Sequence, residues 1–364
     1  MNFLQHLFGK QHLPDDEIAQ FWKWFAANEK RFYKAIAGGE NLHATFFDEL
    51  SSRLEALRPD IYLLTGMRDA KIAELIFTPD GIIKNIAFTE DLVAASPSLK
   101  NWKFTALKPK TDITELQIDM GEYVFNDSNI WFYPNTSAQY PDEIDITIVF
   151  EKYTEDEKPQ ITNGIYLFLD NYLGELNSVT SIDNLWIKAE PSENEDLIPI
   201  SKLQDYLIWR EKEFVEKYEG TRRDTEDDEY TSLEATLEND LPLIAIVNSS
   251  LLDWEAKGSH PWILKIEIAY DGTDLNGMPD DATYALMDKF ELEIMDELKD
   301  ADGYLNVARE TADSLRCIYF ACKDFRKPSE ILYALILSYR DLLNVSYDMY
   351  KDKYWQSLER FRAD

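Results

Sequence analysis

From residue 15 onward the apolar positions Ile18, Phe21, Trp22, Phe25, Phe32 and Ile36 recur at helical spacing, and Asp15, Asp16 and Glu17 sit where carboxylates favour a helix N-terminus. Gly38-Gly39 closes this first predicted helix. A second runs from about Leu42 to Leu57, with Phe46, Phe47, Leu50, Leu54 and Leu57 as its buried stripe. The pattern then changes to short runs that predict strands near Ile61, Lys71 to Phe77, Trp102 to Leu107, Leu116 to Val124, Ile130 to Tyr133 and Ile144 to Phe150. Thr78-Pro79-Asp80-Gly81 has the composition of a hairpin turn. A short helix is expected over Thr89 to Ala95, with Thr89 as its cap and Pro97 beyond its end. Ile144, Ile146, Ile148 and Phe150 alternate with Asp145, Thr147 and Val149, the form of a half-buried strand. Ile165 to Leu176 returns to helical spacing, and Val179 to Lys188 predicts a return to the sheet.

The clearest alternation lies between Trp262 and Tyr350. Trp262, Leu264, Ile266, Ile268 and Tyr270 share one strand face, and a helix from about Asp281 buries Met287, Phe290, Ile294 and Leu298. Strands near Tyr304 to Glu310 and Leu315 to Ala321 predict a hairpin. A second helix, introduced by Pro328 and Ser329, carries Leu332, Leu335, Ile336, Tyr339, Leu342 and Leu343, and a last strand alternates Val345, Tyr347 and Met349. This βαββαβ order predicts a ferredoxin-like sandwich with helices over one sheet face. The fold class expected for the chain is α+β in two domains. Residues 1–190 form an N-terminal α+β domain with a mostly antiparallel sheet, 191–235 a linker with a connecting helix, and 236–364 the ferredoxin-like domain.

Composition narrows the function. With 69 acidic against 37 basic side chains, a net charge of −32, direct binding to DNA or RNA is not expected, because phosphate backbones are held by Lys and Arg. The same charge attracts a basic protein. Residues 1–13 carry Phe3, Leu4, Leu7 and Phe8 but are interrupted by polar side chains, and no apolar run reaches membrane-spanning length, so a cytoplasmic protein without a membrane partner is expected. Cys317 and Cys322 would lie ~16 Å apart along a strand, beyond disulfide reach, and predict buried structural thiols.

Candidate chemistry is sparse. The loop Asp271 to Asp281 is rich in carboxylates, but Ala282 stands where a calcium loop counted from Asp271 needs its bidentate Glu. A strand-to-helix turn capped by Asp280 or Asp281 is expected instead. His6, His12, His43 and His260 show no paired ligand spacing, and neighbouring Ser259 and His260 lack the accompanying nucleophile motifs. No phosphate-binding or dinucleotide glycine pattern occurs, so no cofactor, metal or catalytic residue is predicted. The one candidate site is a partner-binding face on the first helix of the C-terminal domain: Asp288, Glu291, Glu293, Asp296 and Glu297.

Trp262-Ile263, Asn276-Gly277-Met278-Pro279 and Tyr319-Phe320-Ala321-Cys322-Lys323-Asp324 make the stretch from Pro261 to Trp355 resemble the bacterial family called domain of unknown function 695. That family is similar to regulator of ribonuclease activity B, an acidic ferredoxin-like inhibitor without catalysis of its own. Glu74 to Gly81, Ala95 to Phe104 and Leu173-Gly174-Glu175 resemble bacterial segments of no assigned activity that precede such domains. The resemblance implies a non-enzymatic, regulatory protein-binding module, acting on a basic enzyme such as a nuclease. The alternative expectation is an enzyme or small-ligand protein with its pocket between the two domains.

Overall fold

Spacing by three and four places Ile18, Phe21, Trp22, Phe25 and Phe32 on one side of α1 (Pro14–Gly38), where all five are buried. A π-helical turn, His43–Phe47, leads into α2 (Asp48–Leu57) and buries Phe46 against Phe32. The computed structural model describes residues 14–38, 41–193 and 195–362. The readings of Phe3, Leu4, Leu7, Phe8, His6, His12 and Gly39 fall outside the described residues. The chain divides into two units, Pro14–Lys217 and Tyr218–Asp364.

In the first unit β1 (Tyr62–Met67) pairs antiparallel with β2 (Ala73–Thr78), and β2 pairs parallel with β3 (Trp102–Ala106). The turn Thr78 to Gly81 therefore does not close a hairpin. Asp80 and Gly81 take positive φ values of 50° and 86°, and the chain passes into α3 (Ile86–Ala94), the crossover that a parallel pair requires. Pro, Asp and Gly suit a strand-to-helix turn as well as a hairpin, so composition alone pointed the wrong way. Thr89 is not the cap: it is buried within α3, and its Oγ1 donates to the Asn85 carbonyl one turn back.

The rest of this unit holds the hairpin β4 (Ile118–Met120) with β5 (Tyr123–Phe125), and a sheet in the order β8-β7-β6-β9. Its strands are β6 (Trp131–Asn135), β7 (Asp145–Val149), β8 (Asn184–Lys188) and β9 (Ile198–Pro199). β7 is buried along its whole length, not half-buried as its alternation suggests, because it is a central strand. Asp145 and Thr147 are accommodated by side-chain hydrogen bonds from Asn184 and with Asn135. The helix expected from Ile165 to Leu176 is two helices, α4 (Lys158–Leu173) and α5 (Glu175–Ser181), broken at Gly174 where φ is +81°. The segment expected as a linker supplies β9, and α6 (Leu203–Tyr218) buries Leu203 and Leu207 in the same core as Phe132, Ile148 and Phe168. Through Lys217 that helix lies in the first unit.

The second unit is built on a six-stranded sheet in the order β10-β11-β13-β14-β12-β15, antiparallel throughout. Its strands are β10 (Tyr230–Thr236), β11 (Pro242–Asn248), β12 (Trp262–Ala269), β13 (Tyr304–Ala312), β14 (Leu315–Cys322) and β15 (Asn344–Lys351). β13 and β14 meet at Asp313 and Ser314, both with positive φ, as a tight two-residue hairpin requires. α7 (Ser249–Leu252) follows β11, α8 (Asp281–Glu297) follows β12, and α9 (Arg326–Tyr339) follows β14. Buried Met287, Phe290, Ile294 and Leu332 belong to the two longer helices. The opposite sheet face is also covered. Ile263, Val307, Tyr319 and Ala321 pack in one core with Leu251, Leu252, Trp355, Leu358 and Phe361, the last three from the C-terminal segment whose 3-10 helix spans Gln356–Phe361. The chain is thus mixed α and β, with several mostly antiparallel sheets.

Candidate functional site

The acidic residues of α8 do not form one solvated row. Asp288 and Glu291 turn toward the sheet. Glu291 is buried, accepts from Asn306 at 3.0 Å and pairs with Arg309 at 3.0 Å, while Asp288 accepts from Arg316 at 2.8 Å. Arg316 is itself buried, and its guanidinium lies 4.6 Å from the centre of the Tyr284 ring. Burial opposes the charge on Arg309, yet Glu291 and Asp288 outweigh it and hold its pKa above the ordinary value. These contacts fasten the helix to β13 and β14. Basic residues at Arg309 and Arg316 amid apolar strand positions are the sequence signal for it, since a cation facing a core needs an acid opposite.

Asp296 is exposed and Glu297 partly exposed, while Glu293 is partly buried, with its Oε1 shielded and 3.7 Å from Lys289. Between them α8 displays Leu292, 62% exposed, and Met295, 40% exposed. Apolar side chains ringed by carboxylates have the anatomy of a contact patch, an apolar centre with a charged rim. Sequence reasoning missed them because the three-and-four stripe through Met287, Phe290 and Ile294 already accounts for the buried face.

The other sequence candidates resolve into structural roles. Asp280 caps α8 by accepting from the Thr283 N–H at 2.7 Å, and Asp271 accepts from the N–H and hydroxyl of Thr273. Gly277, at φ +78°, lies against the turn between β13 and β14, where a Cβ would fall 2.8 Å from the Asp313 Cα. Among the described residues no group of three or more metal-ligating side chains comes together. Cys317 and Cys322 are buried free thiols, and burial pushes both up.

Ser259 and His260 meet at 2.8 Å, but through His260 Nδ1, and the Ser259 hydroxyl lies 2.7 Å from the Ala256 carbonyl. Burial, with Lys323 and Arg222 adding to it, pushes His260 down to about 4. The imidazole is therefore neutral in the fold at neutral pH. A histidine with a depressed folded pKa contributes stability above its unfolded value near 6.5, and that contribution falls away as pH drops toward about 4. Urea midpoints measured at pH 7 and pH 5 should show the C-terminal unit less stable at pH 5. His260→Phe should show a smaller loss between the two, and an identical loss would contradict the assignment.

A second polar centre lies in the first unit, at the C-terminal ends of the parallel strands β2 and β3. Glu175, at the start of α5, is completely buried. Its carboxylate lies 2.7 Å from the Thr78 hydroxyl and accepts from the N–H groups of Gly81 and Lys108, each at 2.9 Å. Lys108 Nζ bridges Asp80 at 2.5 Å and Asp170 at 2.9 Å. Burial opposes the lysine charge, but the two carboxylates prevail and its pKa is raised. Leu107, the residue before Lys108, sits at φ +64°, which L side chains rarely adopt. The centre ties the β2 turn to α4 and α5. All its polar atoms named here are paired with one another, which suits a fastening more than a reaction.

No helix among the described residues is long and apolar enough to cross a membrane. Mixed α and β, with carboxylates around an exposed apolar pair on α8, is the class that the fold and this surface define. Residues 234–361 match a family of unknown function, DUF695, so the C-terminal region is a domain of that family. No curated protein and no solved structure matches the chain.

Proposed function

We propose that the C-terminal unit is a ferredoxin-like module that binds a basic protein, and that the chain acts in the cytoplasm as a non-enzymatic regulator of an enzyme such as a nuclease. The antiparallel order β13-β14-β12-β15, with α8 after the first of these strands in the chain and α9 after the third, supports the ferredoxin-like reading. Exposure of Leu292 and Met295 among Glu293, Asp296 and Glu297 is the observation that carries the partner reading. The net charge of −32 supplies long-range attraction for a basic surface, and the apolar pair supplies a desolvated centre. Asp288 and Glu291 support this face from behind by their pairs with Arg309 and Arg316. Affinity capture with the full chain from lysates of its source cells, at low and at moderate salt, tests the reading. A protein partner recovered reproducibly, and more weakly as salt rises, is the expected result. Failure to recover one at either ionic strength would count against it.

A further inference from the structure

α6 and the end of α4 with α5 enclose a groove of about 470 Å³ within the first unit. Leu173 lies on one wall, and Leu207, Ile208 and Val215 are contributed by α6. In α6 Leu207 and Ile208 lie four and three residues before Glu211 and Val215 four after it, steps that put these side chains along one helix face. Glu211 falls in the middle of that apolar run, four residues from both Leu207 and Val215. Its Oε2 is shielded from solvent and has no hydrogen-bond partner. The neighbouring charges do not reach it: Lys212 pairs with Glu216 at 3.6 Å, and Arg210 lies 3.9 Å from Glu213. Glu211 itself lines the groove, so its carboxylate can meet a cation brought in along it.

The geometry points to a site for a small aliphatic amine: we propose that the groove takes an alkyl chain of about six carbons along Leu173, Leu207, Ile208 and Val215, with its terminal ammonium on Glu211. The volume lies in the range of small-ligand pockets, and one unmatched negative charge selects a monocation over a neutral or anionic ligand. An ammonium presents three donors, so it can bind the groove-lining carboxylate of Glu211 while its chain displaces water from the apolar wall. The assignment is independent of the basic partner proposed for the C-terminal unit, since every lining residue belongs to the first unit.

Titration of the full chain with hexylammonium chloride, followed by amide chemical shifts, tests it against 1-hexanol, the neutral counterpart of the same length. Saturable shifts at Leu207, Ile208 and Val215, with hexanol binding about tenfold more weakly, are expected from loss of one charge-assisted contact. Glu211→Gln should weaken hexylammonium binding by about the same factor while leaving hexanol binding unchanged. Absence of saturable hexylammonium shifts overturns the proposal, as does equal binding of hexanol or indifference to Glu211→Gln. A capped Leu-Lys-Leu peptide that binds tenfold more tightly than hexylammonium also overturns it, because the groove would then be a peptide surface. The comparison of hexylammonium with hexanol uses the unmodified protein alone, so the proposal is testable even if the variant folds poorly.

Discussion

Replacing Glu175 by Ala should remove about 3–5 kcal/mol from the stability of the first unit. The carboxylate accepts the Thr78 hydroxyl and the Gly81 and Lys108 N–H groups inside a fully buried site, so the truncation strands three donors in a cavity that water does not readily fill. Glu175→Gln should cost less, about 2 kcal/mol, because one oxygen still accepts while the new amide meets an N–H that also donates. Hydrogen exchange of β2 and β3 amides reads the loss locally, without requiring that the two units unfold together. A change below about 1 kcal/mol for the Ala variant would show that the site is wetter or more adaptable than its geometry implies.

Trp355→Ala should have a similarly large effect in the second unit, about 3–5 kcal/mol. Trp355 is completely buried, and its Nε1 donates to the His260 carbonyl at 2.9 Å. It opens the C-terminal segment that lays Leu358 and Phe361 over the sheet face opposite α8 and α9. Arg360 fastens that segment by donating to both oxygens of Glu310 at 2.8 and 2.6 Å. Loss of the indole removes apolar area, leaves a cavity and strips a buried carbonyl of its donor. Trp355→Phe keeps most of the area, so it isolates the hydrogen bond and should cost about 1–2 kcal/mol. Exchange protection in β12 and β14 should fall in proportion. Unchanged protection in the Ala variant would mean that the segment lies on the sheet without stabilising it.

The periodic elements of both units were legible because burial on one side leaves a stripe. Met287, Phe290 and Ile294 gave α8, and Trp262, Leu264 and Ile266 gave β12. β10 left no such mark. Nearly every residue from Tyr230 to Thr236 is exposed, so there was no alternation to read, and the strand is defined by its pairing to β11. The second covering of the C-terminal sheet was hidden for another reason. Trp355, Leu358 and Phe361 are apolar in a short irregular stretch, and only the fold brings them under Tyr319 and Ile263.

The polar sites divide along the same line. Local caps such as Asp280 follow from adjacent residues, whereas Glu175 gathers donors 67 to 97 positions away in the chain. Leu173-Gly174-Glu175 therefore stood out as a motif without disclosing its use. The acidic face of α8 was legible as charge but not as geometry. Counting carboxylates grouped Asp288 and Glu291 with Asp296, while the structure assigns the first two to Arg309 and Arg316. What remains outward is smaller and more specific, because Leu292 and Met295 now lie at its centre.

That surface is tested most directly by quantitative capture with the full chain and a Leu292→Lys/Asp296→Lys double variant, compared side by side at equal protein concentration. Both positions are exposed, so unchanged melting should accompany the substitutions. If α8 receives a basic partner, the variant loses at least about tenfold of the partner recovered by the unaltered chain, through charge repulsion and loss of the apolar centre. Equal recovery of the same partner by both proteins would contradict the account.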